Sequence, residues 1–434
     1  MKEAFIMRLR LFRDRNFLLL MQGSAVSQLG TLMQTFALSL YVLNHYDSTT
    51  LFASILIISA IPRLVLGPFA GVLVDWFDRK KIIVRLDILS GLCVLLLSFL
   101  YFSTGELPLW SIYTIAIALS LIGTLFSPAV NTVVPNIMKE EDLLEANSIN
   151  HMLLTICSLI APLLAGLLMS FSVIGWVLLI NGISFLVSAL SESFIQIPKT
   201  HKAPQNINLK LFKDDFAEGI NMMRSSRFIM IITFIALALN FAITPVFTVG
   251  VPHILKKVMI VQDYEYGIVN SIIGSSSLLA GYLTAKYAKR FSVNSILKAD
   301  LIAQPITVGL LAIVSSFTFL QLFDTYYLPL VLFMMIGFIF IIILTAGNIT
   351  INTTIQKIVP KDMLGRVGTV ITTLCGAAVP IGQALFGLMV DSMGHFIPMI
   401  SCTVILLIVA ICSIILINKE EKTIETPTFD SMNA

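Results

Sequence analysis

The chain has 434 residues, of which 57% are hydrophobic and only 12% charged, with a formal net charge of +3. That composition excludes a water-soluble globular domain, because the bilayer must be the solvent for most of such a chain. The small positive surplus is a topology signal and gives no ground for nucleic-acid binding.

Inside a bilayer the backbone can satisfy its polar groups only as helices or as a closed barrel. Alternating strands of about ten residues are absent, while apolar runs of about twenty recur, so an all-α membrane protein is expected. In chain order the predicted transmembrane helices are 17–43, 50–76, 82–102, 108–135, 148–170 and 174–195, then 228–255, 265–286, 295–319, 327–350, 366–390 and 396–417. Residues 1–195 thus form a first six-helix half, and 228–434 a second with a cytoplasmic tail. The polar segment 196–227 between them is a central loop whose second part is expected to be a short amphipathic surface helix. The basic start, MKEAFIMRLRLFRDRNF, leads into an apolar run too long for a cleavable signal.

Lysine and arginine set the orientation. With the N-terminus inside, 25 of the 28 fall in cytoplasmic segments. Lys256 and Lys257 lie outside and Arg63 within a span. Both termini and the central loop are therefore expected in the cytoplasm of a multi-pass cell-membrane protein. Trp76, Trp110 and Trp176 fall at span ends, where an indole buries its ring and keeps its N–H wet. All five cysteines lie inside spans with no metal-spaced pair, which marks them as buried thiols. No metal, cofactor or phosphate-loop motif is present.

The halves repeat each other. NTVVPNIMKEEDLLEANSINHMLLTICSLIAPLLAGLL (131–168) lies over 352–389 at an offset of 221, with Asn131/Asn352, Thr132/Thr353 and Gly166/Gly387 identical. GVLVDWFDRK (71–80) lies over GYLTAKYAKR (281–290), and RLD (85–87) over KAD (298–300). Matches in one order imply a duplicated six-helix unit, an arrangement that places a solute site near mid-bilayer between halves.

Gly71 and Asp75 stand one helical turn apart at the cytoplasmic end of the second span. Gly71 allows a close helix approach, and Asp75 can accept from a neighbouring helix N-terminus. A solvated topogenic loop accounts for Arg79, Lys80 and Lys81 but not for this aspartate and glycine. Gly71-x-x-x-Asp75-x-x-x-Arg79-Lys80 resembles the signature loop of the major facilitator superfamily, over essentially the whole chain. Trp76 replaces its usual basic residue and Asp78 its usual glycine. VPNIMKEEDLLEANS (134–148) and FRDRNF (12–17) resemble the macrolide-efflux and enterobactin-exporter branch. The resemblance implies a latch at Asp75 in the outward-open state, engaging the start of span eleven around Leu364 to Gly368. The second-half copy has Ala285 at the aspartate position, so the latch is one-sided. Ala161-Pro162 and Ala165-Gly166 on span five resemble a loose form of the superfamily's antiporter motif, and ordinary helix packing explains them as well.

Arg63 lies twelve positions before Asp75, about 18 Å along a helix, where a charge costs at least ~2.5 kcal/mol. It is either a structural arginine bonded inside the bundle or a substrate or coupling residue. Gln28 and Thr31, with Ser24, Thr35 and Gln34, give span one a polar face. Asn240, Asn348 and Asn352 are candidates from the second half. No carboxylate lies as deep as Arg63; Asp87, Asp300 and Glu192 fall near span ends. The expected function is ion-gradient-driven export of amphipathic, macrolide-like molecules by alternating access. The partners are a small-molecule substrate, membrane lipid and H+ as coupling ion, with the chain acting as a monomer and not as an enzyme. The alternatives are export of a physiological metabolite or siderophore, and a non-transporting sensor or lipid-handling protein.

Overall fold

The computed structural model describes residues 14–74, 78–139, 142–171, 174–196, 209–287, 293–360 and 363–425, and among them there is no strand. Helix α1 (Arg15–His45) begins where Asp14 accepts a hydrogen bond from the Phe17 amide at 2.9 Å, a side-chain N-cap. It is followed by α2 (Thr49–Val74) and α3 (Arg79–Thr104). Asp78, which stands where the signature loop usually has glycine, caps α3 by accepting from the Lys81 amide at 3.2 Å. Gly105, at φ +80°, ends α3 in a left-handed conformation that glycine adopts without strain. Helices α4 (Leu109–Ile137), α5 (Leu143–Ser170) and α6 (Ile174–Ser193) complete the first set.

Helix α7 (Leu209–Ser225) is the amphipathic helix expected in the second part of 196–227. Helix α8 (Arg227–Pro245) runs on through two π-helical turns, Val246–Gly250 and Ile254–Val258, on either side of Val251–His253. Pro252 between them has no N–H to close an ordinary helical turn, and a wider register accommodates the gap. The remaining helices are α9 (Asp263–Tyr287), α10 (Val293–Val314), the one-turn α11 (Phe317–Leu320), α12 (Tyr327–Ile358), α13 (Leu364–Met393) and α14 (Phe396–Glu425). Each predicted span coincides with a helix. Among the described residues, 11 are long and apolar enough to cross a membrane. Helix α9 occupies the predicted span 265–286.

The chain forms two compact units. The first holds residues up to 207 together with 260–271, and the second 208–259 and 272 onward. In the first, α6 packs on α1 and α3, α5 on α1, and α4 on α2 and α3. Phe17, Leu20, Ile83, Val133 and Ala146 make a core at one end of that unit. In the second, α14 packs on α8 and α10, α13 on α8, and α12 on α10. Four of these five pairings of the first unit thus recur in the second, α8, α10, α12, α13 and α14 taking the places of α1, α3, α4, α5 and α6. In the second unit α7 lays Phe216, Ile220 and Met223 against Met363, Val367 and Val370 of α13. Arg366 of α13 also donates to Glu218 of α7 at 2.7 Å.

Polar side chains inside the first unit are paired across helices. Asn181 of α6 donates to Gln34 Oε1 of α1 at 2.6 Å, and both residues are buried. Asn181→Ala leaves the Gln34 amide without that partner and is expected to cost about 1–3 kcal/mol. It should lower the detergent melting temperature, and the double change Gln34→Leu with Asn181→Leu should restore much of the loss. Equal melting of the single variant and the wild type would show that the pair is not stabilising.

Candidate functional site

The predicted site residues fall in several places. Gly71 belongs to the last turn of α2, and Arg79 and Lys80 open α3. Asp75 lies outside the described residues. Arg63 is exposed in the middle of α2, directly after the buried Pro62. Its guanidinium has no hydrogen bond or ion pair among the described residues.

Along α1 the polar residues divide between two environments. Thr31 donates to the Ser27 carbonyl at 2.7 Å, Thr35 to Thr31 at 2.8 Å and Ser39 to Thr35 at 2.7 Å. These bonds satisfy the hydroxyls within the helix and leave their second lone pairs open. Gln28 is half-buried, whereas Gln34 is buried in the α1–α6 seam through Asn181. In the second unit Asn240 donates to the Ala236 carbonyl at 2.8 Å along α8. Asn348 and Asn352 are exposed one turn apart on α12. The structure therefore gathers Gln28, Thr31 and Thr35 on one helix and Asn348 with Asn352 on another.

The small residues of α5 form a close helix crossing inside the first unit. Ala161 and Ala165 are fully buried. A Cβ on Gly166 would stand 2.6 Å from the Asp263 carbonyl oxygen, and one on Gly267 would collide with the Pro162 carbonyl. Ser271 donates to the Leu159 carbonyl at 2.7 Å, and Tyr266 stacks on Phe36 of α1 at 4.8 Å. Gly166→Leu is expected to force α5 and the start of α9 apart, costing about 1–3 kcal/mol as overpacking does. A melting temperature equal to that of Ala161→Gly would show that the crossing tolerates a side chain.

Three buried carboxylates lie off these faces. Asp87 on α3 is 2% exposed, Glu192 on α6 0% and Asp300 on α10 5%. The sequence places all three near span ends, where solvation would be the ordinary expectation; side-chain packing removes them from water instead. Asp300 accepts from Gln304 Nε2 at 2.8 Å, and a Cβ on Gly347 of α12 would collide with its carboxylate.

In the turn between α13 and α14, His395 donates from Nε2 to the Ser315 carbonyl at 2.8 Å, with the His253 ring 6.1 Å away. Burial pushes the His395 imidazole below the usual histidine range, against a smaller upward pull from that hydrogen bond. The unfolded chain binds this proton near pH 6.5, so the fold loses stability as pH falls through about 6.5 and gains none above it. His395→Asn should flatten that acid limb in melting curves recorded against pH. An unchanged limb would assign it to other groups.

Duplicated helical units with polar faces on apolar spans define a polytopic membrane protein of the transporter class. A family model described as Major Facilitator Superfamily matches residues 20–383, and the chain belongs to that superfamily. It is 23% identical over 403 residues to macrolide efflux protein A of Streptococcus pyogenes, covering 91% of this chain and 94% of that protein. It is 26% identical over 411 residues to BacE of Bacillus subtilis strain 168, named as a bacilysin exporter, covering 92% and 93%. Among solved structures, the nucleoside transporter NupG superposes with a TM-score of 0.74 at 14% identity, covering 92% and 98%. A bacterial homologue of the iron transporter ferroportin gives 0.69 at 18%, covering 93% and 99%. At these identities the two structures speak for the fold alone.

Proposed function

We propose that this superfamily transporter exports amphipathic small molecules of macrolide-like character across the cell membrane by alternating access, driven by a proton gradient. The observation that carries the reading is the similarity to macrolide efflux protein A over more than nine-tenths of both chains. The chemistry supports it. Exposed asparagines on α12 and half-buried hydroxyls on α1 offer a few hydrogen bonds on otherwise apolar helices, which suits solutes with large apolar bodies. The likeness to a protein named as a bacilysin exporter supports a second reading, export of a physiological metabolite. In both readings the termini and residues 196–227 face the cytoplasm, where the lysine and arginine excess belongs. Energised cells producing the protein should retain less of a macrolide such as erythromycin than cells without it, and an uncoupler should abolish the difference. Equal retention under both conditions would overturn export of this substrate class.

Within this reading Asp75 serves as the conformational latch and Arg63 as the charge that the solute or coupling step meets. Asp75→Asn keeps the shape but removes a charge–dipole contact of roughly 0.3–2 kcal/mol, enough to shift a conformer balance several-fold. Efflux per folded molecule should fall by a similar factor; normal efflux would leave the loop only topogenic. Arg63→Lys keeps the charge and loses the planar fork, so specific efflux should drop while yield and melting hold. The opposite pattern would make Arg63 a structural residue.

A further inference from the structure

The seam between α3 and α6 is fixed in antiparallel register by two close contacts. Ser98 of α3 donates to the Gly175 carbonyl of α6 at 3.0 Å, and Gly91 faces the Gly182 carbonyl and Leu186. Continuing the register one turn beyond Gly91 brings Asp87 level with Ser188, and Glu192 lies one turn further along α6. Ser188 and Glu192, four residues apart, share the buried face of α6 that this turn of α3 meets. Ser188 and Glu192 are fully buried and Asp87 nearly so. Asp87 Oδ2, both carboxylate oxygens of Glu192 and Ser188 Oγ have no hydrogen-bond partner among the described residues.

Among the described residues, no cation pairs with these oxygens. Helix α3 itself carries Arg79, Lys80, Lys81 and Arg85, of which Arg85 is exposed two residues from Asp87. Helix α1 contributes Arg15 at its start and His45 at its far end, α5 contributes Glu145 and His151, and α4 contributes no charged residue. Neither Asp87 nor Glu192 makes an ion pair among the described residues. Glu192 also occupies the last turn of α6, where the helix's own carbonyl dipoles oppose an anion. Two buried carboxylates in this setting cannot both stay ionised without a ligand, as in any site where like charges share a desolvated space.

We propose that Asp87 and Glu192 form a proton-binding dyad that holds one proton between them, with the Ser188 hydroxyl donating to the member left ionised. The dyad would seat the coupling ion of the export reading, but its occupancy does not depend on that reading. The second unit differs at the equivalent place, where Gln304 donates to one oxygen of Asp300 and the other, Oδ1, has no partner among the described residues.

Infrared spectroscopy of the purified full-length protein in nanodiscs reads the proton directly, through the carbonyl stretch of a protonated carboxyl group. At neutral pH the wild type should show a carboxylic-acid band that is lost or shifted in Asp87→Asn and in Glu192→Gln, at melting temperatures no lower than the wild type's. Ser188→Ala should keep the band and raise the pH at which it titrates, since the ionised member loses its donor. Should neither amide variant fold, the Ser188→Ala titration alone decides. An absorbance identical in wild type and Glu192→Gln, a Ser188→Ala titration unchanged from the wild type, or a band that sodium or potassium chloride abolishes at constant pH would overturn the dyad.

Discussion

A bilayer offers the backbone no hydrogen-bond partner, and nearly every feature of this molecule follows from that constraint. The backbone closes on itself in helices, and side-chain polar groups must then find partners on their own helix or across a seam. The hydroxyls of Thr31, Thr35, Thr350 and Thr354 return to carbonyls four residues back. Gln34 and Asn181 pair across α1 and α6. The helix starts that lie outside the apolar layer are closed by aspartates, Asp14 on α1 and Asp78 on α3. Asp78 also shows how the loop can depart from its usual pattern: where a glycine would only permit a turn, the aspartate ends one helix gap and begins the next helix.

Much of this was legible in the sequence because span length, charge asymmetry and duplication are one-dimensional signals. The spans, the amphipathic helix α7 and the repeat needed only run lengths and offsets. Which way a side chain faces is a different kind of fact. Gln34 shares a period with Gln28 and Thr31, yet it lies toward α6 while they are half-buried. Similarly, α9 reads in the sequence as an ordinary span, and only the structure shows that its first turns pack backbone to backbone on α5 through Gly166 and Gly267.

The two units share a plan and have diverged in their polar interiors. The offset that lays RLD over KAD puts Asp87 and Asp300 at corresponding places on α3 and α10, and both are buried. Their surroundings differ. Asp300 has an amide donor one turn along its own helix and a glycine, Gly347, that leaves room for its carboxylate. Asp87 has a hydroxyl and a second carboxylate instead. The duplicated plan has thus kept the buried acid while changing the polar groups around it.

That divergence separates two roles for charge in the first unit. Arg63 is exposed on α2 with no hydrogen bond or ion pair among the described residues, and on the proposed reading water or a solute lowers the cost of placing it in a span. Asp87 and Glu192 are sealed from solvent by α3 and α6, so their cost can be lowered only by a small ligand that enters without opening the seam. A cation the size of a proton meets that condition, while an amphipathic solute does not. On the reading proposed above, substrate-facing charge and ion-holding charge fall on different helices of one unit. This division is compatible with a signature loop that turns between α2 and α3, the two helices that carry Arg63 and Asp87.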